Sequence, residues 1–342
     1  MKYLTESLVF FCILCYIHRE RYSFYETASD DNVLSRKAFL LAREGDSMNV
    51  GIIGSGRVGY SMGRYLRDHR VDVAGYYDRH PERAADAADF TGTGSFQTME
   101  DLVNASDTLF ITTTDGEIAK VWDCIRMLSI TDKIICHFSG SLSSVVFQGI
   151  EDTGASCVSI HPMLAFSDKY SSYRQLEHAF LTIEGMPEAV ATMSELFSSL
   201  GNTICQIDAK DKGLYHAAAS VLSNQVVAVL DSGYHMLMQC GFTEQEARTA
   251  TRSLVSGNVE HVVAQGCVAA LTGPIERGDT DTVIKHLLAI PPEDYEMYRI
   301  LGRKLVGIAQ TKNSQRDYEK LYQILEDAEN KEAFYEKYGC DI

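Results

Sequence analysis

Positive charge is in short supply in this chain: 31 Lys and Arg stand against 47 Asp and Glu, a net charge of −16. No basic run is dense enough to offset that balance, so neither nucleic acid nor an acidic membrane surface is an expected partner. Metal-ligand spacing is lacking as well. The nine cysteines are scattered through apolar contexts, and the only close pair, Cys12 and Cys15, has no second pair to complete a zinc site. An odd, dispersed set fits reduced thiols better than a disulfide framework, so the expected compartment is the cytoplasm. Internal repeats and low-complexity linkers are missing too. The apolar run Leu8–Ile17 is too short to span a bilayer, and no small-residue cleavage site follows it.

What is present is concentrated in one run, Met48-Asn-Val-Gly-Ile-Ile-Gly-Ser-Gly-Arg-Val-Gly-Tyr-Ser-Met-Gly63. It reads as a buried strand, a glycine turn and the first turns of a helix. Gly54, Gly56 and Gly59 fill the three glycine places of a dinucleotide-binding fingerprint. They allow the tight turn, the backbone's approach to a pyrophosphate, and helix-on-strand packing. A pyrophosphate there would sit on the free N–H groups of Ser55, Gly56, Arg57 and Val58 at a helix N-terminus. Because the run begins at a methionine, Met48 is the expected start of the fold. Residues 1–47 are expected to be an upstream extension first, an accessory helix second and a weak anchor third.

The 342-residue length suggests two domains, and 45% hydrophobic content is ample for a core. From Met48 onward short β-rich runs alternate with helical stretches, as a parallel sheet with crossover helices requires. Strands are expected at Asn49–Gly54, Val71–Tyr77, Thr108–Thr112, Lys133–Phe138 and Cys157–His161, with Phe180–Glu184 and Thr203–Ile207 extending the sheet. After Asp208 the strand-like runs stop. Helices are expected at Asp211–Gln239, Thr243–Gln265, Asp281–Leu288 and Tyr295–Gln310, with a peripheral one within Asp317–Tyr338 and a loop at Thr272–Asp279. The predicted architecture is α/β, a Rossmann-type domain over residues 48–207 followed by an all-helical domain over 208–342.

Asp78 ends the second expected strand at 78 − 54 = 24 residues after Gly54, close to the spacing of a ribose-reading carboxylate, which favours NAD. Arg79, with His80 and Arg83 nearby, is suited to a 2′-phosphate instead, and the balance leans to NADP. Arg57 is a second candidate phosphate contact. Ligands on such sheets gather at strand C-termini, where Thr112, Thr113 and Thr114 are placed to line the cofactor. At the next strand end, Ser139, Gly140 and Ser141 are placed to meet substrate. Helix capping by Thr114 or Asp115 is the structural alternative.

Histidine is the usual proton carrier at neutral pH. His161 closes a strand before Pro162, and His216 opens the long helical stretch. His216, Ser220, Ser223 and Asn224 recur at i, i+4, i+7 and i+8, one face of a helix whose other positions are almost all Ala, Val or Leu. That pattern predicts a central helix buried on most sides, its polar face on a cleft.

Together, Ser139-Gly-Ser141, Ser159-Ile-His-Pro-Met163, Leu214–Asn224 and Ala270–Asp279 resemble Rossmann-like proteins that carry a C-terminal domain of unknown function numbered 2520. Members of that family are described as candidate NADP oxidoreductases, and the likeness runs from Met48 to about Gln310. More distantly, the layout is similar to pyrroline-5-carboxylate reductases and β-hydroxyacid dehydrogenases, whose helical domain closes over the nicotinamide and often builds a dimer. The resemblance therefore implies a homodimer through the helical domain. Those dehydrogenases carry Lys and Asn four residues apart on the first long helix. The matching positions here are Ser220 and Asn224, so the lysine is absent and a lysine-based mechanism is disfavoured. His161-Pro-Met163 resembles prephenate dehydrogenases, whose histidine polarises a substrate hydroxyl. The resulting expectation is hydride transfer at C=O or C=N of a small carboxylate-bearing substrate, with catalytic His161, His216, Ser220 and Asn224. Arg277 is expected to hold the carboxylate, and no metal is expected. The alternative is a nucleotide-binding sensor or scaffold without turnover.

Overall fold

A computed structural model describes residues 48–327 and 331–339; the expectations for residues 1–47 lie outside them. The described chain falls into two compact units that divide between Ser223 and Asn224.

In the first unit eight strands form one sheet in the order β3-β2-β1-β4-β5-β6-β7-β8. They are β1 Asn49–Ile53, β2 Asp72–Tyr77, β3 Gly94–Ser95, β4 Thr108–Ile111, β5 Ile134–His137, β6 Ser156–Pro162, β7 Phe180–Gly185 and β8 Thr203–Gln206. All neighbours run parallel except β6 and β7. Seven of the eight were legible as β-rich runs; the two-residue β3 was not. Helices α1 Arg57–Asp68, α2 Pro81–Thr91, α3 Met99–Asn104, α4 Asp115–Ile125, α5 Tyr173–Leu176, α6 Pro187–Ser199 and α7 Lys212–Leu222 complete the unit.

Strand alternation sorts side chains to the two faces. Val50 and Ile52 join one core with Phe110 and Phe197, while Ile53, Leu109 and Ile111 join the other around Trp122 and Phe147. The strand order reverses direction at β1, where β2 lies on one side and β4 on the other. A crevice therefore opens at the C-terminal ends of β1 and β4, where Gly54 and Thr112 stand.

The second unit is helical: α8 Asn224–Gln239, α9 Glu244–Ala270, α10 Pro274–Arg277, α11 Thr280–Ala289, α12 Pro292–Lys312, α13 Glu319–Asp327 and α14 Lys331–Tyr338. Its core gathers Val283, Leu287, Val306, Leu321, Leu325 and Phe334. A full capping box starts α9, with Thr243 accepting from the Glu246 backbone and Glu246 reciprocating.

Three expectations need correcting. The stretch Asp211–Gln239 is two helices, because Ser223 departs from helical geometry (φ −123°, ψ −72°). Its hydroxyl donates to the Ala219 carbonyl at 2.7 Å, a local bond that competes with helix continuation. Nor is the stretch buried: Leu214 and Leu222 are 77% and 74% exposed, and α8 buries no residue. An all-round apolar pattern shows that a helix needs cover without showing what covers it. Finally, the loop Thr272–Asp279 contains the one-turn helix α10, held between Gly273 and Gly278, both at positive φ.

Candidate functional site

The glycine turn is built to geometric need. Gly54 sits at φ +103°, a conformation side chains rarely adopt. A Cβ on Gly59 would lie 2.3 Å from the Gly54 carbonyl oxygen and 2.7 Å from Thr112 Oγ1. Around Gly56 there is room instead, the nearest atom to such a Cβ being the Thr112 carbonyl at 3.8 Å. Thr112 Oγ1 donates to the Gly54 carbonyl at 2.7 Å, clamping the end of β4 to the turn. Asp78, just past β2, accepts from Ser55 N at 2.7 Å and from His80 N at 3.0 Å. The carboxylate thus braces the turn as well as facing the crevice.

Gly54, Asp78, Arg79 and Thr113 line a cavity of about 340 Å³, joined by Arg83 and Lys120. Two of its groups call for an outside partner: Ser55 Oγ and Thr113 Oγ1 are buried with no hydrogen-bond partner among the described residues. Room at Gly56, the N-terminus of the 12-residue α1 and these unsatisfied hydroxyls fit a dinucleotide. Arg79 is 74% exposed and lies 3.9 Å from Glu117, which Lys120 approaches to 2.8 Å, so two cations flank one carboxylate at the mouth. Thr114 occupies the N-cap of α4 without a side-chain capping bond. Arg57 points elsewhere and donates to the Phe166 carbonyl at 3.3 Å, while Val58 packs against the first core.

A second group of polar side chains collects at the ends of β5 and β6. Ser139 Oγ accepts from Ser141 N at 3.1 Å and Leu142 N at 2.9 Å, and Ser141 Oγ donates to Asp115 at 2.6 Å. That network fixes the turn, and Gly140 at its centre lies against two imidazoles. A Cβ on Gly140 would stand 2.7 Å from His216 Nδ1 and 2.8 Å from His161 Nε2. The two rings cross nearly at right angles, with centroids 6.3 Å apart. Thus Ser139, Gly140, Ser141, His161 and His216 come together. Ser220 is half-buried one turn on from His216. Asn224 begins α8 in the other unit and is exposed, as is Arg277 on α10.

Sequence reading missed two members of this group. Lys212 is only 2% exposed, and its Nζ donates to Ser159 Oγ at 2.7 Å. Nothing in the flanking Asp211-Lys212-Gly213 distinguishes it from a surface lysine. Tyr215 OH meets His161 Nδ1 at 2.7 Å, a contact that only folding creates. Burial lowers the Lys212 pKa, opposed by Glu184 and Asp115. Burial, then the Lys212 and His216 charges, bring His161 down to about 4, so its imidazole is neutral at neutral pH. Among the described residues no group of three His, Cys, Asp or Glu could hold a metal ion.

Fold and cavity define a dinucleotide-binding Rossmann protein with a helical C-terminal unit. Residues 48–124 match the oxidoreductase family with NAD-binding Rossmann fold, and residues 179–305 match a domain of unknown function, DUF2520. The chain thus carries an NAD(P)-binding Rossmann fold and, after it, a segment that matches DUF2520. No curated protein matches it significantly. Among solved structures, a Bacteroides fragilis protein described as a candidate NADP oxidoreductase is 19% identical. It covers 76% of this chain and 98% of its own at TM-score 0.62. A reductive aminase from Aspergillus terreus, in complex with NADPH and ethyl-5-oxohexanoate, is 14% identical over 83% and 94% (TM-score 0.55). A pyrroline-5-carboxylate reductase from Coxiella burnetii is 15% identical over 79% and 98% (TM-score 0.53). At these identities the likeness is one of fold.

Proposed function

We propose that this protein is an NADP-dependent oxidoreductase that transfers hydride to or from a C=O or C=N bond of a small carboxylate-bearing substrate. The observation that carries the reading is the convergence of His161 and His216 on Gly140, on the strand-end edge that also holds the nucleotide cavity. The fold shared with a reductive aminase and a pyrroline-5-carboxylate reductase supports C=N chemistry. The cluster of Arg79, Arg83 and Lys120 supports a 2′-phosphate, and the use of Asp78 as a brace leaves it less free for a ribose.

When bound, the nicotinamide supplies or accepts the hydride. The residues have to align the reacting carbon and manage one proton. Uncharged at neutral pH, His161 is suited to polarise the reacting oxygen or nitrogen through its N–H, as a neutral imidazole can in a low-dielectric site. His216, more exposed on α7, is suited to exchange the proton with solvent. Ser139 and Ser141 hold the turn against which substrate would lie.

The exposed apolar side chains of α7, α8 and α9, among them Leu222 at 74% and Leu254 at 73%, support a homodimer. The span Glu244–Ala270, helical but for a kink at Gly266 (φ 80°, ψ 163°), buries only Ala247 and Ala270 and is incomplete in one copy. The dispersed thiols support a reducing compartment such as the cytoplasm.

The test is hydride exchange between labelled NADPH and a panel of small 2-oxo acids and cyclic imino acids, with His161→Ala and His216→Ala alongside. Exchange that falls about 100-fold or more in either variant, with cofactor affinity kept, is the expected result. Binding without exchange for any acid would instead identify a sensor or scaffold. Full turnover in both variants would remove the two histidines from the chemistry.

A further inference from the structure

His161 has a fixed neighbour on each side. Across the antiparallel pair of β6 and β7 its register partner is Thr182, which is 2% exposed. Tyr215 on α7 reaches over this pair: its hydroxyl lies 2.7 Å from His161 Nδ1, with the rings at 85°. A phenol is a stronger hydrogen-bond donor than acceptor, and an unprotonated imidazole nitrogen is the stronger acceptor of the two, so the 2.7 Å contact is best made with Tyr215 donating to His161 Nδ1. Nδ1 is then an acceptor, and the ring proton of a neutral imidazole must sit on Nε2. Nε2 is the His161 atom nearest the Gly140 position, 2.8 Å from where a side chain there would begin.

We propose that Tyr215 is a positioning residue that fixes His161 as the Nε2–H tautomer, so that its single donor faces the Ser139–Ser141 turn. The proposal rests on the functional reading above for what that donor does, and stands apart from it for which nitrogen carries the proton. Other charged or titratable groups bear on the ring. The Lys212 ammonium and His216 oppose a second proton on it, and Asp115 favours one. Among these groups Tyr215 alone is hydrogen-bonded to the ring within the described residues, so it alone selects between the two nitrogens.

Long-range proton–nitrogen correlation spectra of the ¹⁵N-labelled full chain at pH 7 test this without cofactor, with His161 assigned through His161→Gln. The expected pattern is a bare Nδ1 and a protonated Nε2. In Tyr215→Phe the Nδ1–H form should appear, and turnover should fall roughly tenfold or more with NADPH affinity unchanged. A wild-type ring protonated on Nδ1, or a tautomer unaltered in Tyr215→Phe, overturns the proposal. Should Tyr215→Phe fail to fold, Tyr215→Leu is read in the same way, and a tautomer unaltered there also overturns the proposal. Loss of cofactor binding in the wild type would refute the oxidoreductase reading while leaving the tautomer result intact.

Discussion

The Lys212 ammonium donates to Ser159 Oγ at 2.7 Å, two residues before His161 on the same strand. A buried cation is costly, and here its charge is offset by Glu184 and Asp115 at longer range. Its presence beside His161 is one reason that ring stays neutral. Lys212→Met should therefore raise the His161 pKa from about 4 toward the ordinary histidine value. Stability should fall as well, since the change leaves the buried Glu184 carboxylate without its countercharge and the buried Ser159 hydroxyl without its donor. Titration of the His161 ring by NMR checks this; an unmoved midpoint would show that burial alone depresses it.

Acid should weaken the fold through the buried histidines. His137, 0% exposed, is brought from 6.5 to about 4, chiefly by burial. The folded pKa lies below the unfolded one, so the stability is fully present above pH 6.5 and drains away as pH falls toward 4. For His137 alone that amounts to about 3 kcal/mol. Urea unfolding at a series of pH values should show the decline, with a shallower slope in His137→Phe. A wild-type profile flat from pH 7 to pH 4 would contradict the assignment.

Gly59→Ala should damage fold and cofactor site together. The added methyl would meet the Gly54 carbonyl at 2.3 Å, forcing α1 away from β1. Overpacking of this kind costs about 1–3 kcal/mol. Thermal melts should show a lower Tm and little stabilisation by NADPH, whereas a wild-type response to NADPH would mean that the turn tolerates the shift.

Arg79→Ala should weaken NADPH about tenfold or more while leaving NADH almost unchanged, as expected for loss of a charge-assisted bond to the 2′-phosphate. Paired affinity measurements decide it. Equal losses for both cofactors would assign Arg79 to the rim shared by either nucleotide.

Leu222→Asp with Leu254→Asp should convert a dimer to a monomer in sedimentation equilibrium, if a second copy covers these side chains. The stretch Ala209–Gln239 also has the length and hydropathy of a membrane span. Co-sedimentation of the wild type with phospholipid vesicles, or a monomeric wild type, would count against the dimer.

The sequence alone determined the first unit's strands and its nucleotide turn, because both are written in local chemistry. β-Branched runs of strand length alternate between the two sheet faces, and only glycine satisfies the φ of Gly54 and the close approach at Gly59. His161 and Ser139 were legible for the same reason, as polar residues ending apolar strands. Tertiary structure decided the rest. β3 is two residues that pair only because β2 is beside them. The helix break at Ser223 is a backbone departure that no Pro or Gly announces, and Lys212 reads as a surface lysine until the chain buries it against β6. Tyr215 and His161 are 54 residues apart. No local pattern can report that contact, because strand order and the path of α7 create it, not the composition of either segment.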